Sequence, residues 1–132
     1  MHARRALPTG SETEKAVRGL LMPCLEIEGG AVVVATANGR VSARDSQGRL
    51  FDILDESDQL AEKYGRLYLI DHDGRDHDHP QLDYLQEIAR TAEVWVDSGV
   101  RTSDQAIDVV VAGAFRTVLS TAYLRGESEL RQ

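Results

Sequence analysis

Apolar and polar positions alternate in three short runs that stop in the same way. Pro23-Cys24-Leu25-Glu26, Leu67-Tyr68-Leu69-Ile70-Asp71 and Val94-Trp95-Val96-Asp97 each reach an acid, and a glycine turn follows within a few residues. Runs of this length predict strands, and the amphipathic segments between them predict helices. A fourth run, Thr117 to Ala122, carries hydroxyls in place of the acid. Strands that alternate with helices favour a parallel sheet, and residues at the C-terminal ends of barrel strands face the active site. The carboxylates of Glu26, Asp71 and Asp97 are therefore expected to line one concave mouth, where like charges raise at least one pKa.

The intervening segments carry their own signals. Ser11 to Glu14 fits a capping box ahead of Ala16, Val17, Leu20 and Leu21, which predicts a short helix before the first strand. Ala31 to Ala37, Asn38-Gly39 and Arg40 to Arg44 predict a hairpin inserted after that strand. A helix is expected over Asp58 to Tyr64, stopped by Gly65. Another opens at Pro80 with Leu82, Leu85, Ile88 and Ala89 on one face, and a third is capped by Thr102 and ends at Gly113. A last helix is expected near Glu127.

Period-two alternation assigns the faces of the strands. Cys24 is expected beside Glu26, Leu69 beside Asp71 and Trp95 beside Asp97, all turned to the barrel interior, with Leu25, Ile70 and Val96 against the helices. An aspartate before a turn can equally serve only as an acceptor for loop amides, so each acid has a purely structural alternative. The tract Asp71 to His79 mixes histidines and acids, which are metal ligands. Its spacing does not converge them, so a solvated loop is expected and no metal; His72 and Asp73 lie nearest the strand end.

Length and charge narrow the function. A full eight-unit barrel takes roughly 250 residues, whereas this chain has 132. The expectation is a parallel (βα)4 half of a TIM-type barrel over residues 22–132, with an N-terminal helical extension over 1–21. A net charge of −7 disfavours nucleic-acid and anionic-membrane partners. The single cysteine, Cys24, excludes a disulfide framework, and with no long apolar span or secretory leader a cytoplasmic location is expected. Four strands cannot close a barrel, so a homodimer or a second half-barrel is the expected partner, with Trp95 near the junction. The N-terminal segment through Leu21, folded over the open face, is the alternative cover.

Several of these motifs resemble the histidine-biosynthesis (β/α)-barrel proteins, a family that includes ProFAR isomerase and the cyclase subunit of imidazole-glycerol-phosphate synthase. The carriers are Pro23 to Glu26 with Gly29-Gly30, Leu69 to Gly74, Asp97 to Gln105, and Ala112 to Thr121. The wording around Pro80 to Leu85 and Trp95 to Arg101 is similar to isomerase-related proteins that accompany tetrahydromethanopterin-linked one-carbon genes.

The resemblance implies a site. Its first-strand acid acts as a general acid or base in an Amadori-type aldose-to-ketose rearrangement, and Glu26 stands there, a glutamate in place of the usual aspartate. The second acid of the family lies on a fifth strand, beyond the four read here. The family's phosphate loops map to Gly99, Val100, Arg101, Thr102 and Ser103, and to Ser120 and Thr121, with Asp97 and Ser98 where glycines are usual. A phosphorylated small molecule is the implied ligand, with no cofactor. An isomerase half-site completed by a second half-barrel, an inactive phosphate-ligand-binding or assembly protein, and a truncated barrel fragment all fit the sequence.

Overall fold

A computed structural model describes residues 10–124. The expected helix near Glu127, residues 1–9 and the side chain of the Ser11 cap lie outside the described residues. The chain order is α1 (Gly10–Leu20), β1 (Cys24–Glu28), β2 (Ala31–Thr36), β3 (Gly39–Ser42), α2 (Ile53–Tyr64), β4 (Arg66–Asp71), α3 (His72–His77), α4 (Leu82–Ile88), β5 (Glu93–Asp97), α5 (Ser103–Val111) and β6 (Arg116–Thr117). These strands form one open sheet in the order β3-β2-β1-β4-β5-β6. The neighbours from β1 through β4 and β5 to β6 pair parallel, as a partial TIM-type barrel requires. The expected hairpin forms, but it joins the sheet: β2 pairs antiparallel with β1, so the sheet is mixed.

Local chemistry explains the element boundaries. α2 begins five residues before the expected Asp58, because Asp52 accepts the amide hydrogen of Asp55 and Ile53, Ser57 and Ala61 supply its buried face. Gly65 ends it at φ 75°, where a left-handed cap is cheapest for glycine. Between β4 and β5 there are two short helices instead of one, since Asp71 caps α3 before Gln81 opens α4. β6 is shorter than the expected run, and Ser120 to Tyr123 forms a turn.

The core lies between the sheet and the helices. Leu25, Ile27, Leu67, Leu69, Val94 and Val96 from the strands meet Ile53, Leu85, Ile88 and Val109 from the helices. Arg66, at the opposite end of the sheet from the acids, donates to the carbonyls of Gly19 and Leu21 and so ties α1 down beside α2. Val17, Leu20 and Leu21 remain exposed there.

Two glycines let the loops after β4 and β5 touch. A Cβ on Gly74 would lie 2.6 Å from the carbonyl oxygen of Ser98, and one on Gly99, at φ 64°, would lie 2.7 Å from Arg75 Cα. Gly48 also has positive φ, 80°, but open space around it. Gly99→Ala should therefore cost about 2–4 kcal/mol of stability, strain plus overpacking. Gly48→Ala should cost about 1 kcal/mol from strain alone. Urea denaturation of the two variants checks the difference.

Candidate functional site

Strand register decides which acids meet. Glu26 is paired with Ile70, and Ile70 with Asp97, so these three form one row on the open, concave face of the sheet. The row before it is Cys24, Tyr68, Trp95 and Arg116. Glu26 and Asp97 thus share a face two strands apart, about 10 Å between backbones.

Asp71 belongs to the other face. It pairs with Ile27, is 3 % exposed, and accepts from the amides of Gly74 at 3.1 Å and Gln81 at 2.7 Å. The expectation that Asp71 and Leu69 point inward, with Ile70 against the helices, is therefore reversed. Asp71 lies one residue past the row of Glu26 and Asp97, and a shift of one residue changes the face. Its pKa is raised, first by burial, against the backbone amides of Gln81, Gly74 and Asp73 that pull it down; the neighbouring Asp73 carboxylate is a minor cause. Its role here is the structural one, acceptor for two backbone donors.

The histidine tract is not a loop. Asp71 caps α3, and the first residue of that helix, His72, is buried with Nε2 2.8 Å from Glu26 Oε1. When Nε2 carries its proton the imidazole donates to the carboxylate and fixes its direction. Asp73 accepts from the amide of Gly29, and Arg40 bridges Glu28 and Asp76, so the hairpin is held against α3. His77 and His79 are exposed.

Around Asp97 lies a second group of polar side chains. The Tyr68 hydroxyl donates to Asp97 Oδ2 at 3.1 Å, and Arg75 Nε is 3.9 Å from Oδ1. Arg75 also donates to the Tyr123 hydroxyl at 3.4 Å, and the guanidinium groups of Arg75 and Arg101 both lie over the Tyr123 ring. Burial, then the Asp97 charge, pushes the Tyr68 pKa up to about 12. Burial, then Glu26 and Asp97, pushes the Cys24 thiol up. Trp95 lies tilted against Phe115 at 6.4 Å between ring centres, and its indole nitrogen has no hydrogen-bond partner among the described residues.

Of the residues expected to hold phosphate, Arg101 is committed within the protein. Arg101 Nη1 donates to the carbonyls of Gly74 and Gly99 and to Asp78, and Nη2 to the carbonyl of Arg75. Its amide donates to the Gln105 side chain, and Thr102 caps the Gln105 amide. Val100 is buried in the core. Ser103 opens α5, and Ser120 caps the turn in which Thr121 is exposed, through a bond from the Ala122 amide. Tyr68, Arg75 and Tyr123 were not among the expected site residues. Tyr68 had no usable signal, because it shares the face of Ile70, which the sequence placed against the helices; Arg75 had none, because the segment reads as a loop.

Tyr68 offers a direct test of this geometry. Ultraviolet titration should show one tyrosine ionising near 12. Asp97→Asn should lower that value only part of the way to the ordinary tyrosine range, because burial is the larger cause.

No helix among the described residues is long and apolar enough to cross a membrane. No curated protein matches the chain at a significant level. The family model described as "Histidine biosynthesis protein" matches residues 20–132. With that match spanning most of the sequence and a partial TIM-type barrel beneath it, the chain belongs to the histidine-biosynthesis barrel family.

Proposed function

We propose that the chain carries one half of a sugar-phosphate isomerase-type site, with Glu26 as the proton-transfer group. The observation that carries this reading is Glu26 itself, midway along β1 on the open face, with its carboxylate oriented by the buried His72. In an Amadori-type rearrangement the opened, N-protonated aldose imine loses its C2 proton to a base, and the resulting neutral enaminol takes up a proton at C1 as its C2 hydroxyl gives up its own, leaving the ketose. Glu26 takes or returns that proton, and His72 holds the carboxylate in place. Asp97, which accepts from Tyr68 and faces Arg75, is assigned no proton transfer in this reading. The second proton-transfer group then comes from a further half-barrel unit, a second copy or another polypeptide, that covers the open face and shields Trp95.

A tetrahydromethanopterin-linked or histidine-linked role is compatible with this chemistry. A second reading, assembly without turnover, is favoured by one observation: Arg101 and the Gln105 amide spend their donors inside the protein.

The test is turnover of an N-substituted aminoaldose phosphate to its ketose by the purified assembly. Glu26→Gln should lower kcat/KM at least about 100-fold with an unchanged melting temperature. Equal turnover in the variant removes Glu26 from the chemistry, and absence of turnover in the wild type favours the second reading.

A further inference from the structure

Three arginines stand at the C-terminal rim of the sheet, and their surroundings differ. Arg40 is committed to Glu28 and Asp76. Arg101 is committed to three carbonyls and Asp78 at 2.8–3.2 Å. Arg75 is held loosely through Nε alone, 3.4 Å from the Tyr123 hydroxyl and 3.9 Å from Asp97, and neither of its Nη atoms has a hydrogen-bond partner among the described residues.

We propose that Arg75 binds the phosphate of the ligand, in place of the loop at the start of α5. Its Nε edge faces Asp97 and Tyr123, which leaves the two Nη groups as a fork for phosphate oxygens. The fork is rigidly placed although its tip is loosely held. Gly99 admits the Arg75 backbone at a separation no side chain would allow, and Arg101 clamps the Arg75 carbonyl. Arg101 also shares the Tyr123 ring with Arg75, which adds positive charge beside the fork. Asp97 and Asp76 oppose an anion here. Asp97 is balanced by Arg75 Nε, and Asp76 by Arg40. This assignment rests on the reading that the ligand occupies the open face, and it names the group that anchors the ligand there.

Ribose 5-phosphate, with ribose as control, serves as the probe in an NMR titration of the arginine side-chain and backbone amide signals. The phosphorylated probe should move the Arg75 Nε–H signal, and ribose should not. Arg75→Gln should weaken binding at least about tenfold, the loss of one charge-assisted pair. Arg75→Lys, which keeps the charge without the fork, should lie between. Ser120→Ala with Thr121→Ala should leave affinity unchanged. The titration reads binding and not turnover, so failure of the isomerase reading would leave this result standing. Shifts confined to Ser103, Ser120 and Thr121, an unchanged affinity in a folded Arg75→Gln, or no binding of the probe would each overturn the assignment.

Discussion

A carboxylate buried at the end of β4 governs where the chain goes next. Asp71 sits in the helix layer, accepting the amides of Gly74 and Gln81, and each of those donors left unpaired would cost about 1–3 kcal/mol. By satisfying both, Asp71 turns the chain into α3 directly after the strand and holds the start of α4 close by. His72 consequently falls on Glu26, Asp73 on the Gly29 amide, and Arg75 on the side of Asp97.

The same turn needs a partner, which the loop after β5 provides. Gly74 and Gly99 allow backbone contact, and Arg101 ties the carbonyls of Gly74, Arg75 and Gly99 together. A residue type that would suit phosphate binding is used instead as a clamp. Among the polar groups on the open side are Glu26 with His72, and Asp97 with Tyr68 and Arg75. On the proposed reading, one end of this site moves a proton and the other holds charge.

Much of this fold was legible because its signals are local. Asn38-Gly39 marked the hairpin, Gly65 and Thr102 marked helix ends, and the alternation in Cys24-Leu25-Glu26 and Trp95-Val96-Asp97 gave the correct faces. The phase of β4 was not legible in the same way. Leu69 and Ile70 are both apolar, so only the pairing of Ile70 with Glu26 and Asp97 shows that Asp71 turns away. The helix at His72 was hidden for a related reason. Its cap is Asp71, a residue that also reads as a catalytic acid, and at six residues the helix is too short to show a period. Arg75 and Tyr123 meet only through tertiary contact, 48 positions apart in the chain.

The central claim is that Asp71 builds the site and Glu26 with His72 occupies it. Residue-resolved amide hydrogen exchange on the wild-type protein, read together with the imidazole nitrogen signals of His72, tests both halves. The account predicts that the amides of Gly74 and Gln81 exchange as slowly as those of the central strands, and that Glu26→Gln moves the His72 Nε2 signal. Loop-like exchange at Gly74 and Gln81, with a His72 signal indifferent to Glu26, would contradict it.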